Sequence, residues 1–483
     1  MSLEQYYERL ILKQSDKMRS THIRTLLIAG DRSGSGKTSI STSIAAALAK
    51  KYAVQTFKVG MDYIDPSYLT VATGRPCRNL DSFIMNEEEI RDIFTHACDG
   101  ADIALIEGVR GLYEGADAIH DTGSTAGIAK ILGVPIILVV NARSITRSAA
   151  ALVTGFQALD PELQIVGVIL NNVQGEHHIQ KAKTAIEHFC HVPVLGAIPR
   201  TDAPDLTMRH LGLIPCAEAS ATDAALAVSD LAARFLPYLN VNEIEAYARE
   251  ISVSFPSHSV FLSDKDNEEH VRTHIAVAHD EAFNFYYPDL FDILRTYGAE
   301  IQFFSPVHDS FDVVKGADGF IFGGGYPEYY AAALSENESM RSGLQEAVKA
   351  GVPIYAECGG LIYLASSLQF STDFQGLKEG EQYPLCDIVH GTVMIPVRRI
   401  VRYVIGKTSP HCPFGEHSIF GHAFHYSAIE PIEPRYGMEL ERGIGIDGSH
   451  DGLVTHNVMA GYTHLHPVPS ISFFKSFLMK CKR

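Results

Sequence analysis

Residues 25–29 (TLLIA) form a short, uninterrupted apolar run. A glycine-rich stretch follows, and from residue 39 to 51 the apolar positions return at helical spacing, a pattern that predicts strand, loop and helix in succession. The alternation then repeats. Apolar runs at residues 53–59, 103–106, 135–140, 165–170 and 192–198 predict further strands, with helices predicted at the amphipathic stretches 87–96 and 178–189. Apolar strands that alternate with helices predict an α/β fold, a parallel sheet covered on both faces.

After about residue 236 the signal changes. An acidic, helix-like stretch at 242–250 is followed by SVSFPSHSVFLSDKDNEEH, which reads as a linker. A second series begins beyond it, with strands predicted at 274–278, 300–305, 319–322 and 352–355 and helices at 287–297 and 339–350. The expected organisation is a flexible leader (1–20), an α/β domain (21–235), a linker (236–272) and a second α/β domain (273–483). No low-complexity tract or short-period repeat interrupts this plan.

Composition narrows the class of partners. At 483 residues the chain exceeds one compact core. Its 40 Lys+Arg against 57 Asp+Glu give a net charge of −17, which argues against non-specific binding to nucleic acid or an anionic membrane but leaves room for a local basic pocket. The apolar runs fall short of the roughly 20 residues a membrane helix needs. The first twenty residues mix both signs of charge without a long apolar core, so a cytoplasmic location is expected. Eight cysteines without a CxxC pair fit reduced thiols and not a structural zinc site.

The loop after the first strand, Gly30-Asp-Arg-Ser-Gly-Ser-Gly-Lys-Thr38, can cradle phosphates with its backbone N–H groups. Lys37 would reach the terminal phosphates and the Thr38 hydroxyl would ligate magnesium. The strict G-x-x-x-x-G-K-[ST] pattern wants glycine where Asp31 stands, which puts an extra acid close to the metal. A plain glycine-rich turn with a helix cap is the bland alternative, and the flanking strand and helix speak against it. Asp62, Asp65 and Glu107 follow further predicted strands, whose carboxyl ends face the ligand crevice in such folds. Thr38, Asp62 and Glu107 therefore make a plausible magnesium set.

In the second series, Pro353-Ile-Tyr-Ala-Glu-Cys-Gly-Gly-Leu361 carries Cys358 from a strand into a helix-like continuation. This is a nucleophile-elbow arrangement, in which a helix N-terminus favours the thiolate and the glycines relieve steric conflict. The upstream Phe322-Gly-Gly-Gly-Tyr-Pro327 again follows a strand, and its N–H groups could form an oxyanion hole with that of Gly359. A base is needed as well. The histidines of Gly421-His-Ala-Phe-His-Tyr-Ser427 and of Tyr462-Thr-His-Leu-His466 are candidates by local setting.

Taken together these stretches resemble the cobyrinic acid a,c-diamide synthase family. The resemblance runs from about residue 25 to 467 through DYIDP, GRPCRNLD, EGVRGLYEG, DTGSTA, GVILN, RHLGL, FGGGYPE, AECGGLIYL and GHAFHYS. It implies a P-loop parallel-sheet ATPase domain followed by a class I glutamine amidotransferase α/β domain of the cysteine–histidine kind, without a third acidic member. Cys358 would be the nucleophile, with an oxyanion hole at Gly324, Gly325 and Gly359. The family's C-terminal Y-x-H motif matches Tyr462-Thr-His464, which points to His464 as base and leaves His466 as the alternative. ATP would bind through Ser33, Gly34, Ser35, Gly36, Lys37, Thr38 and Asn171. Substrate contacts would come from Tyr63, Asp65, Asn79, Asp81, Arg110, Ser124 and Thr125. The implied cofactors are ATP and Mg²⁺, and the small-molecule partners are glutamine and an anionic tetrapyrrole. Nucleic acid and membrane are not expected as partners, and a homodimer stays open.

Departures from the cobyrinate pattern point to a subgroup. Met61 stands where those enzymes have Pro, Tyr68 where they have His, EGVMG becomes EGVRG at Arg110, and RGHEFHYS becomes FGHAFHYS at Phe420 and Ala423. With residues 140–149 (VNARSITRSA), EGVRGLYEG looks closer to the archaeal subgroup that acts on nickel-sirohydrochlorin. Such substrates are polycarboxylates, which suit bidentate recognition by Arg75, Arg78, Arg110, Arg143 and Arg147. A reading from another class, a nucleotide-switch protein of the partitioning type, shares the deviant phosphate loop but has no use for Cys358 in an elbow.

Overall fold

A computed structural model describes residues 20–200, 208, 209, 212, 213, 221–254, 256, 258–262, 272–374 and 377–482. The expected flexible leader lies outside the described residues except for Ser20. Two compact units divide the chain, Met1–Ser259 and Val260–Arg483.

The first unit carries strands β1 (Ser20–Gly30), β2 (Val54–Val59), β3 (Arg78–Leu80), β4 (Ile103–Glu107), β5 (Ile136–Asn141), β6 (Ile165–Val173) and β7 (Val194–Pro199), in the spatial order β3-β2-β4-β1-β5-β6-β7. All these neighbours pair in parallel. The helices are α1 (Lys37–Leu48), α2 (Ile64–Thr73), α3 (Glu87–Ala97), α4 (Thr125–Leu132), α5 (Arg147–Leu159), α6 (Gly175–Cys190) and α7 (Ala221–Phe235). Leu26, Ile28, Ile103, Leu105, Ile137 and Val139 of the central strands pack with Ile40, Ile44 and Leu48 of α1 and Leu231 and Phe235 of α7 in one core. Because the seven strands run parallel, their carboxyl ends lie along one edge of the sheet, and the loops after β1, β2, β4 and β6 leave from that edge.

The segment expected to be a linker is folded over most of its length. Helix α8 (Val241–Ala246) is capped by the Asn240 side chain. Strand β8 (Arg249–Ser254) runs antiparallel to the start of β1, from Ser20 opposite Ser254 to Thr25 opposite Arg249. The physical signal was an alternation: Ile251 and Val253 point inward while their neighbours are exposed, the pattern of a half-buried strand within a polar, Ser-rich stretch. Residues 255, 257 and 263–271 of that segment lie outside the described residues.

The second unit opens with β9 (Thr273–Ala278), β10 (Ala299–Phe304), β11 (Gly319–Phe322) and β12 (Ile354–Glu357), and with helices α9 (Pro288–Thr296), α10 (Ala331–Glu336), α11 (Glu338–Lys349) and α12 (Gly359–Leu364). Beyond the last predicted strand the chain continues as β13 (Ala365–Phe370), β14 (Gln382–Pro384), β15 (Val389–Ile395), β16 (Ile400–Thr408), β17 (Ser418–His425), β18 (Ala428–Pro431), β19 (Tyr436–Arg442), β20 (His450–Thr455), β21 (Val458–Gly461), β22 (His464–Leu465) and helix α13 (Ile471–Cys481). The main sheet runs β10-β9-β11-β12-β21-β20-β19-β16-β17-β22. It is parallel from β10 to β21 and antiparallel after that. Phe473, Phe474 and Phe477 of α13 close around the Tyr355 ring at 5.0, 5.8 and 6.5 Å.

Candidate active sites

The loop between β1 and α1 is shaped by glycines in the left-handed region, Gly34 (φ 72°) and Gly36 (φ 92°). A β-carbon at Gly36 would lie 2.3 Å from Asn171 Nδ2. That amide donates to the Ser35 carbonyl at 2.9 Å, so Asn171 at the end region of β6 pins the loop from behind. Asp31, the extra acid of the loop, opposes by its charge the lowering that burial causes in the pKa of nearby Lys37. Its Oδ2 is taken by Arg32 at 2.9 Å and by the Asn141 N–H at 3.3 Å.

Thr38, Asp65 and Glu107 come together. The Thr38 hydroxyl lies 3.1 Å from Asp65 Oδ2 and 2.8 Å from Glu107 Oε1. A residue the sequence reading passed over stands among them: Lys58 of β2 is buried and its ammonium binds Asp65 and, at 2.7 Å, Glu107. Burial would lower the Lys58 pKa, but these two carboxylates hold it well above its ordinary value. Glu107 is raised by burial. Burial, followed by the charge of Lys58, pulls Lys37 down to about 8, and the Lys37 ammonium is held by the Arg110 carbonyl. Arg110 adopts φ 48°, a conformation costly for a residue with a side chain, and leaves its guanidinium exposed.

Other expected site residues serve these loops. Asp62 Oδ1 accepts the N–H groups of Ile64 and Asp65 at 2.7 and 3.3 Å, and burial followed by the Asp65 charge pushes it up to about 7. Asn79 donates to the carbonyls of Gly60 and Asp62, both at 2.8 Å, and Asp81 accepts the Phe83 N–H at 2.8 Å. Ser124 caps α4, and Thr125 ties both backbone groups of Val109. Tyr63 is half-buried at the N-cap of α2. Arg75 is spent on Gln55 and the carbonyls of Ala97 and Asp99, and Arg147 lies over the Phe189 ring. Among the described residues no three His, Cys, Asp or Glu side chains form a ready metal cage. Magnesium usually takes only one or two carboxylates, with phosphates and water completing its shell.

In the second unit Cys358 sits at φ 48° between β12 and α12, with its N–H donating to the Gly461 carbonyl at 2.7 Å. Gly325 has φ 152°, and a β-carbon there would lie 2.0 Å from the Ala282 carbonyl oxygen. A β-carbon at Gly359 would lie 3.0 Å from the Gly325 nitrogen, so the two glycine segments need each other's missing side chains. Two influences oppose each other at the sulfur. Burial pushes the Cys358 thiol well up, with Glu328 and Glu357 adding to it, and the Gly359 N–H at the start of α12, a helix of only six residues, is the one that favours the thiolate.

The histidines separate by their partners. His464 is buried on β22 with its Cε1 edge against Gly324: a β-carbon there would lie 2.3 Å from it. Its Nδ1 faces Glu357 Oε2 at 3.6 Å, and its ring stacks on His422 at 5.0 Å. His466 instead accepts the Val468 N–H at 3.3 Å and packs against Tyr287 at 4.5 Å. His425 bonds the Ser427 carbonyl at 2.8 Å and stacks on Tyr462 at 3.8 Å.

Residues 274–470 match the CobB/CobQ-like glutamine amidotransferase domain, and residues 26–213 match the CobQ/CobB/MinD/ParA nucleotide binding domain. Cobyrinate a,c-diamide synthase of Methanosarcina acetivorans is 46% identical over 467 residues, covering 92% of this chain and 93% of that protein. The protein of the same name from Methanosarcina barkeri is 45% identical over 484 residues, covering 96% and 97%, and that from Methanocaldococcus jannaschii is 42% identical over 463 residues, covering 94% and 99%. The chain belongs to the cobyrinate a,c-diamide synthase family. Like the family, it is an ATP-dependent carbon–nitrogen ligase that takes its nitrogen from glutamine. Membership removes the nucleotide-switch reading, since a glutamine amidotransferase domain accompanies the nucleotide domain. No described helix is long and apolar enough to cross a membrane.

Against this family background, three buried groups went unread in the sequence: Lys58, Glu328 and Glu357. Glu328 accepts from the Tyr426 hydroxyl. Lys58 and Glu357 stand at the ends of apolar strands and Glu328 follows the glycine-rich loop after one, so the available signal was a charged residue within or beside a motif.

Proposed function

We propose that this family member amidates the a- and c-acetate side chains of nickel-sirohydrochlorin. In this reading Lys37 and the phosphate loop hold the nucleotide while its terminal phosphoryl group passes to a substrate carboxylate, and ammonia then displaces phosphate from the acyl phosphate. Cys358 and His464 release that ammonia from glutamine, with the N–H groups of Gly324, Gly325 and Gly359 turned to the oxyanion. Thr38, Asp65 and Glu107 fit a magnesium ion: Glu107 Oε2 is buried without a hydrogen-bond partner among the described residues. When bound, the ion supplies charge neutralisation at the phosphates.

The observation that carries the substrate is Arg110. Its strained backbone presents the carbonyl to Lys37 and its side chain to solvent in the loop after β4, which supports a role as a cation for a polycarboxylate beside the phosphate loop. A second reading, cobyrinate as substrate, is favoured by the names of the relatives. The test incubates the protein with ATP, Mg²⁺, glutamine and each macrocycle. A diamide mass from nickel-sirohydrochlorin and little from cobyrinate supports the first reading, and the converse replaces it with the second.

A further inference from the structure

Glu357 immediately precedes Cys358 and is buried at the end of β12. Its two carboxylate oxygens have different surroundings. Oε1 accepts the Tyr355 hydroxyl at 2.6 Å and the Leu465 N–H at 2.9 Å, whereas Oε2 faces His464 Nδ1 at 3.6 Å. The second distance is longer than a hydrogen bond, as is common for catalytic contacts before substrate arrives. Leu465 is the residue after His464, so one carboxylate touches the backbone of β22 and the imidazole it carries. The His464 Cε1 edge is fixed against Gly324, which leaves Nδ1 on the Glu357 side and Nε2 on the other.

We infer that Glu357 is a positioning residue of the glutaminase reaction, the acidic partner that holds the proton of His464 on Nδ1 and so keeps Nε2 as the base. The inference rests on the reading of Cys358 and His464 as nucleophile and base. The Cys358 sulfur bonds to the glutamine carboxamide carbon while its proton passes to His464 Nε2. As the C–N bond breaks, the imidazolium returns that proton to the leaving nitrogen, which departs as ammonia. Water, deprotonated by the same imidazole, cleaves the thioester to glutamate and restores the thiol. Through both steps a cation forms on His464 in a buried place. Burial pulls the imidazole down to about 3 and pushes the Glu357 carboxyl up to about 7, so both resist charge at rest. A carboxylate facing Nδ1 offsets that resistance when the imidazolium forms. His422, stacked on His464, adds no repelling positive charge because burial holds it neutral. An acidic member is thus supplied from the residue before the nucleophile.

Glu357→Gln separates this role from a structural one. The glutamine Oε1 can keep the bonds from Tyr355 and Leu465, and only the atom facing His464 changes, from an acceptor to a donor that favours the wrong tautomer. Hydrolysis of glutamine, assayed without tetrapyrrole, should lose about a hundredfold in kcat with little change in KM for glutamine. Tyr355→Phe, which loosens the carboxylate and keeps its charge, should cost only a few-fold in kcat, again with KM little changed. Wild-type kcat in Glu357→Gln, or a defect confined to KM, overturns the inference. If Glu357→Gln does not fold, a Tyr355→Phe enzyme with wild-type kcat overturns it instead. Cys358→Ser and His464→Ala run beside them: should these still hydrolyse glutamine, it is the reading of the nucleophile and base that fails.

Discussion

The two candidate sites sit at strand ends of α/β sheets, yet they hold their reactive groups by opposite means. In the first unit the groups are charged and balanced: the Lys58 ammonium lies between Asp65 and Glu107, and Thr38 bridges the same two carboxylates. In the second unit burial works against charge on Cys358, His464 and Glu357. The difference follows the chemistry each would serve. A phosphoryl group brings several negative charges that need preset cations. A carboxamide brings none, and charge appears only as the thiol loses its proton.

The sharpest way to break this comparison is to disable one site and read the other. Lys37→Ala and Glu107→Gln remove the cation of the phosphate loop and an acid of the Thr38 cluster. Amidation should vanish with glutamine and with high ammonium alike, while glutamine hydrolysis persists. Product formed from ammonium at the wild-type rate by either variant would take that residue out of the site.

Cys358→Ser is the mirror experiment. With a serine at the elbow, glutamine-dependent amidation should disappear and ammonium-dependent amidation should survive, because the ligase half needs only NH₃ as nucleophile. Retained glutamine hydrolysis would end the elbow assignment.

How far each site could be read beforehand reflects the same contrast. The phosphate loop and the cysteine elbow are local, because glycines at fixed offsets and one reactive side chain leave a motif in the chain. The parallel strands were legible from their apolar runs, and β8 was missed because only two inward residues of a polar stretch mark it. The strands after residue 364 include some that alternate clearly, as β15 does, but their order in the sheet, which brings β22 beside β17, depends on pairing between distant residues. The roles of Lys58 and Glu357 were invisible for that reason. Each acts through partners tens to more than a hundred residues away, Lys58 through Glu107 and Glu357 through Leu465. Asn79, Ser124 and Thr125, expected at the substrate, also bond to neighbouring backbone groups, as short polar side chains at strand ends and helix caps commonly do.

Lys58→Met sharpens the charge-balance side. Removing one partner of a buried ion pair leaves the others uncompensated, a loss of about 3–5 kcal/mol in comparable cases. Denaturant unfolding of the variant in the presence of a chelator should show a loss of that order, and added Mg²⁺ should recover part of it by supplying positive charge to Asp65 and Glu107. A variant as stable as the wild type without divalent cation would mean that the cluster does not depend on Lys58.

The smallest expected effect belongs to Arg110, where the comparison meets the substrate. Lys37 is engaged by the Arg110 carbonyl, so the substitution Arg110→Met keeps the backbone contact and deletes only the exposed cation. A methionine must adopt the same φ of 48°, and the strain is therefore common to both enzymes. If the guanidinium holds a carboxylate peculiar to nickel-sirohydrochlorin, kcat/KM on that substrate should fall about tenfold, close to 1.4 kcal/mol, with less loss on cobyrinate. Equal losses on the two macrocycles would assign the cation to the transferring phosphate, since that group is common to both reactions. Unchanged kinetics on both would leave Arg110 a solvated loop charge, its strained backbone serving Lys37 alone.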